Sequence, residues 1–267
     1  ALESAKPNNS SLLPRIENKI WKIVQPKRRI ELELAMKQAA YNGKAIKASG
    51  SQYAEVDPTF TNGMLIDMFR GTNKPYLAID KSLLDDYGME LYKDGNLFQF
   101  ESGASPNGIN EILWNSEKSN NRKDLYYDPD TKQLRYKCLI DTIGNPSLCY
   151  VGTGQVGSLG YGIPRKDGIG GVSKYIISMQ LLTLVKEGNE YIVKYYQIEK
   201  ESNKVNNKQK FEAFYDGSDP VNRPKIELIQ DDNVFDSTIN NVGLFGIIYS
   251  VFVEVGDAYF VERAGQV

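Results

Sequence analysis

From Cys149 to Gly162 the chain reads Cys-Tyr-Val-Gly-Thr-Gly-Gln-Val-Gly-Ser-Leu-Gly-Tyr-Gly, followed by Arg165, Lys166 and Gly168. Five glycines (Gly152, Gly154, Gly157, Gly160 and Gly162) and two small hydroxyl residues (Thr153 and Ser158) in fourteen positions leave almost no side-chain volume. Two structures use such a run. Bare backbone lets something large and flat lie directly against it, or glycine supplies the positive φ of a β-hairpin or bulge. The run alone does not choose between them.

A second segment lies near the start of the chain. Trp21-Lys-Ile-Val-Gln-Pro26 reads as a short strand ending at a proline, after which Leu32, Ala35, Met36, Ala39 and Ala40 recur at helical spacing. Asn42-Gly43 is a C-terminal cap pair, and Ala45-Ile46-Lys47-Ala48 then predicts a strand running into the small-residue loop Ser49-Gly50-Ser51-Gln52-Tyr53. Backbone N–H groups of such a loop can hold a diphosphate without help from lysine or arginine.

The third segment runs from Asp231-Asp-Asn-Val-Phe235, an acidic-aromatic helix start, to Asn241-Val-Gly-Leu-Phe-Gly-Ile-Ile-Tyr-Ser250 and on to Val255. Read alone, it is equally a plain buried strand with a glycine bulge.

Taken in order, the three segments resemble the FAD-binding (PCMH-type) fold of the vanillyl-alcohol oxidase family, most closely its berberine-bridge-enzyme-like branch. The resemblance spans roughly residues 21 to 255. It implies an α+β fold: a two-subdomain FAD-binding domain without the substrate (cap) domain. Subdomain 1 is expected over 14–80 and subdomain 2 over 81–255, with 1–13 a disordered lead (Pro7-Asn-Asn-Ser-Ser) and 256–267 the start of a link to the missing cap domain. The implied cofactor-binding residues are Ala48, Ser49, Gly50, Ser51, Gln52 and Tyr53 at the diphosphate. Cys149, Gly152, Thr153, Gly154, Gly157, Ser158, Gly160, Tyr161 and Gly162 are implied at the ring, and Gly243, Gly246, Ile247 and Ile248 in the strand beneath it. Lys166 and Arg165 are candidates for positive charge near the reduced flavin, or plain surface cations.

The chain departs from the family at informative places. Many relatives bond the flavin through a histidine where Ser51 stands here, and this chain contains no histidine. That linkage is excluded, as is any histidine base within these residues. Relatives also bond a cysteine ahead of the Val-Gly run to the flavin, but the run is one residue shorter on each side of Val151-Gly152. Because extended backbone advances about 3.3 Å per residue, Cys149 is displaced from bonding contact, and non-covalent FAD is expected; Cys149 is the only plausible covalent attachment. Tyr161 is the one catalytic candidate, with a core tyrosine as the alternative.

Composition narrows the partners. A net charge of −2, from 32 basic and 34 acidic residues, offers no footprint for nucleic acid. The longest apolar run, Val242 to Val253, is interrupted by Gly243, Gly246 and Ser250 and is too short to span a bilayer. With two cysteines, Cys138 and Cys149, and no histidine, no metal site is expected; the pair is read as a disulfide, two buried thiols, or a thiol at the flavin. Nothing in the sequence assigns a compartment.

Shorter runs predict strands at Gly63–Asp67, Tyr76–Ile79, Met89–Leu91 and Leu97–Glu101. A helix is expected over Ser105–Trp114, a loop or extra hairpin around Tyr126-Tyr127, and a long hairpin turning at Lys186-Glu-Gly-Asn189. Lys200–Lys210 reads as solvated surface.

The function implied is an FAD-binding domain of an oxidoreductase acting on an alcohol, sugar or similar C–H donor. A small-molecule substrate is its partner, and a cap domain from the rest of a longer chain or another chain supplies the base. The alternative is a flavin-binding or formerly flavin-binding module that acts in assembly or interaction without catalysis.

Overall fold

The computed structural model describes residues 20–49, 62–68, 76–104, 108–109, 112–113, 127–128, 133–134, 137–138, 175–239 and 244–257. Strand β1 (Lys22–Val24), helix α1 (Arg29–Tyr41), β2 (Ile46–Ser49) and β3 (Met64–Asp67) form the first unit. Its strands make a parallel sheet in the order β1-β3-β2, in register Ile23 with Leu65 and Ala48 with Ile66. Parallel strands need a crossover, and α1 carries the chain from β1 to β2, the two strands that flank β3. The helix buries Leu32, Ala35, Met36 and Ala39, the stripe that the 3.6-residue period marks out. It ends where Asn42 Nδ2 donates to the Gln38 carbonyl (2.7 Å) and Gly43 takes φ +60°.

The larger sheet has six strands: β4 (Tyr76–Leu77), β5 (Leu97–Glu101), β9 (Ile176–Glu187), β10 (Glu190–Glu199), β11 (Ile226–Gln230) and β12 (Ile247–Glu254). Their order is β11-β10-β9-β12-β5-β4, antiparallel except where β10 meets β11. Strand β4 therefore joins the larger sheet although it precedes residue 80. Shorter pairs are β6 (Tyr127–Asp128) with β7 (Gln133–Leu134), the extra hairpin, and β8 (Lys137–Cys138) with β13 (Gly256–Asp257).

Successive residues of a strand face opposite sides, and this divides the core. Leu182, Tyr195, Ile226, Leu228 and Ile247 join Leu32, Met36, Ala48, Met64 and Ile66 in one apolar cluster, so α1 lies between the two sheets. Leu181, Ile198, Ile248 and Val251 face the other way, onto Phe98, Phe100, Ile109, Leu113, Phe235 and Ile239. Helix α4 (Asp232–Ile239) covers that second face.

Two expectations are corrected. Met89–Leu91 is not a strand: it lies within helix α2 (Asp86–Lys93), whose start is capped by the Asp85 carboxylate on Asp86 N at 3.0 Å. Met89-Glu90-Leu91 is too short to fix a period by itself, and the acidic cap upstream decides the matter. Nor is Lys200–Lys210 merely solvated. Val205 and Asn206 are 0% and 2% exposed, Asp85 N donates to the Val205 carbonyl at 2.9 Å and Asn207 N to that of Leu83 at 2.8 Å. The buried Glu199 carboxylate accepts from the amides of Val205 and Asn206 and from Asn206 Nδ2. The segment then enters helix α3 (Lys208–Phe214), with Asn207 as its cap.

Candidate functional site

The loop expected from the sequence to hold a diphosphate follows β2 at the carboxyl edge of the parallel sheet, and the described residues build that edge as follows. Strand β1 ends at Val24, so Gln25 projects from its end; β3 ends at Asp67 and β2 at Ser49, the latter two paired in register. Gln25 Nε2 donates to Asp67 Oδ2 at 3.1 Å, and Asp67 is only 4% exposed. Ligands of open parallel sheets gather at this edge because loops and helix starts converge there.

Helix α1 starts beside that edge and meets the larger sheet through a belt of polar contacts. The Tyr195 hydroxyl donates to Glu33 Oε2, Lys37 Nζ lies 2.6 Å from Glu33 Oε1, and the Arg29 guanidinium sits 5.3 Å from the centre of the Tyr195 ring. Arg29 also donates to the Val221 carbonyl at 3.1 Å. On β12, the Tyr249 hydroxyl donates to Glu101 Oε1 at 3.1 Å. Burial, then the neighbouring carboxylate, pushes the Tyr195 and Tyr249 hydroxyls well above the usual phenol range. Both stay protonated near neutral pH, each donating a hydrogen bond to its carboxylate, and neither acts as a base there. Glu199 is the contrasting group: burial raises its carboxyl to about 7, against the lowering pull of its three N–H donors. With 0% exposure it has no path to a substrate and serves to fasten the following segment.

The residues singled out from the sequence fall into two groups. Gly50, Ser51, Gln52, Tyr53, Cys149, Gly152, Thr153, Gly154, Gly157, Ser158, Gly160, Tyr161, Gly162 and Gly243 lie outside the described residues, as do Arg165 and Lys166. The others are Ala48, buried in β2, Ser49 at its end, and Gly246, Ile247 and Ile248 where β12 begins. Ala48 and Ile247 belong to one apolar cluster, which ties the root of the loop after β2 to the start of β12. Ile248 points to the opposite face, into the α4 cluster. At Gly246 a Cβ would stand 2.2 Å from the Leu182 carbonyl oxygen. The space its missing side chain opens is therefore taken by β9, and Thr183 Oγ1 adds a hydrogen bond to the Phe245 carbonyl at 2.6 Å.

Sequence reasoning did not single out Gln25, Asp67, Glu33, Tyr195, Glu101 or Tyr249. Asp67 left a signal: an acid directly after the buried run Met64-Leu65-Ile66. The others owe their meeting to tertiary packing alone. Among the described residues no group of three Asp, Glu, Cys or His side chains is arranged to hold a metal ion, and no helix is long and apolar enough to cross a membrane.

No protein-family profile matches the chain, and no curated protein sequence matches it. Among solved structures it is similar to cholesterol oxidase from Brevibacterium sterolicum, at TM-score 0.48 and 12% identity over 88% of this chain and 34% of that one. A histidine-to-alanine variant of the same oxidase gives TM-score 0.47 and 14% identity over the same shares, so the chain spans about a third of the length of these solved structures.

Proposed function

We propose that this chain is the FAD-binding part of a flavin-dependent oxidoreductase, with subdomains over residues 14–80 and 81–255 and the cofactor extended between them. The observation that carries the reading is the β1-α1-β2 unit. A helix bridges two strands of a parallel sheet, and β2 ends at Ser49, from which the chain continues into Gly50-Ser51-Gln52-Tyr53 at the carboxyl edge. That edge is where backbone N–H groups ordinarily hold anions.

The described residues fit a dinucleotide there. Asp67 at that edge is 4% exposed and accepts from Gln25 Nε2, so it presents no solvent-facing carboxylate to an incoming phosphate. The loop root is braced from behind by the cluster that contains Ala48 and Ile247. When bound, the flavin supplies acceptance of a hydride equivalent from an alcohol, sugar or similar C–H donor. The chain's part is to hold it: Ala48 to Tyr53 at the diphosphate, the Cys149–Gly162 run against the ring, and Gly243 to Ile248 as the supporting strand. Attachment is non-covalent in this reading, and the catalytic base comes from a cap domain in the rest of a longer chain or in another chain.

A non-catalytic flavin-binding module is the second reading. One observation favours it: the sequence contains no histidine, and Ser51 stands where relatives bond the flavin through one.

The test is the visible spectrum of the purified protein. Flavin bands corresponding to a single FAD per chain are expected, together with loss of most of that flavin in a folded Gly50→Leu variant, whose side chain pushes the loop amides off the phosphates. A wild-type protein that stays colourless and takes up no added FAD refutes the reading. Full flavin content in folded Gly50→Leu refutes the placement.

A further inference from the structure

On the face of the larger sheet turned away from α1, a cavity of about 380 Å³ opens between α4 and the start of β12. Leu181, Ile198 and Ile229 form its floor, and Val234 of α4 and Phe245 stand at its mouth, 36% and 48% exposed. We propose that this cavity is a binding site for an uncharged, flat, predominantly apolar molecule of one or two fused rings.

Four observations carry the assignment. The volume falls in the range of small-molecule sites, with one side open to solvent. No charged side chain lines it, so an ionised ligand would lose its hydration without gaining a counter-charge. Its two threonine hydroxyls are spent on the main chain, Thr183 Oγ1 on the Phe245 carbonyl at 2.6 Å and Thr238 Oγ1 on the Val234 carbonyl at 2.7 Å. Polar capacity is left to Tyr196, Asn233 and Ser237, enough to orient one polar substituent. Finally, the exposed ring of Phe245 offers an aromatic partner at the entrance.

The cavity lies on the face away from α1 and the parallel sheet; with the flavin reading it shares Phe245 alone, so FAD content is recorded beside each indole titration to keep the two apart. The probe is indole, with indole-3-carboxylate as its charged counterpart, each titrated against the intact chain by calorimetry and ligand-observed NMR. Saturable indole binding is expected with a dissociation constant on the order of 0.1–1 mM, the range ordinary ligand efficiency gives for so small a molecule. The carboxylate should bind at least about 10-fold more weakly. Val234→Trp, at an exposed helix position, should fill the mouth and weaken indole at least about 10-fold, and Ser237→Phe repeats the block if the first variant does not fold. Leu34→Ala, at a residue of α1 that is 59% exposed and outside the lining, should leave binding unchanged. Equal binding by wild type and a folded blocking variant, equal affinity for the two probes, or no saturable binding overturns the proposal. So does concentration-dependent dimerisation that Val234→Trp abolishes, which would give the cavity to a second copy of the chain.

Discussion

Replacing Gly246 by alanine separates a packing role from a cofactor role at that position. Its φ is +145°, a region essentially closed to L side chains, and the new Cβ would lie 2.2 Å from the Leu182 oxygen and 2.9 Å from Thr183 Oγ1. No rotamer relieves this, because the nearest atom is main chain, and the next residue, Ile247, is in register with Leu182 itself. Holding alanine at such a φ costs about 1–3 kcal/mol. Moving the β9 carbonyl aside weakens roughly one ladder hydrogen bond, about 1 kcal/mol more. The expected loss of about 2–4 kcal/mol lowers the Tm of a chain this size by about 5–10 °C. Circular-dichroism melts and urea midpoints measure it, with Gly43→Ala as reference. There φ is +60° with nothing within 4 Å, so only the left-handed conformation costs, about 1 kcal/mol. A Gly246→Ala protein melting no lower than Gly43→Ala refutes the close approach to β9. A normal Tm with lost flavin would assign the glycine to the cofactor instead.

Glu199 predicts a pH dependence whose sign follows from its raised carboxyl. The folded chain keeps the proton up to about pH 7, whereas an unfolded glutamate releases it near 4.5. The stability linked to this group is therefore complete below about pH 4.5 and is lost as pH rises to 7, on the order of 3 kcal/mol in all. Urea midpoints at pH 5 and pH 7 should differ accordingly in wild type and converge in Glu199→Gln; an unchanged difference in the variant would remove Glu199 as the cause. For the flavin, acid precipitation should release it into the supernatant, while colour that stays in the pellet and disappears in Cys149→Ala would establish a thioether.

What could be read from the chain and what could not divide along a physical line. Helix α1, its Asn42-Gly43 stop, β2, and the long hairpin closed by Gly188-Asn189 were legible because each depends on neighbours in sequence: a 3.6-residue apolar stripe, a cap, a two-residue turn. The same logic failed at Met89–Leu91, where three residues fit either period, and at Lys200–Lys210. There a charged segment is drawn inward by main-chain hydrogen bonds with Leu83 and Asp85 and by the Glu199 carboxyl.

The candidate site divides in the same way. The sequence by itself marked the loop root at Ala48 and Ser49, because glycine content and strand endings are local properties. Only the tertiary structure decided that Ser49 and Asp67 end side by side in parallel register, that Gln25 restrains that carboxylate, and that Tyr195 and Glu33, 162 residues apart, share a proton donor and acceptor across the sheet interface. It also decided that the open side of Gly246 faces β9. A missing Cβ is visible in the sequence, but what approaches it is set by strand register, and register is fixed by long-range pairing that no local pattern encodes.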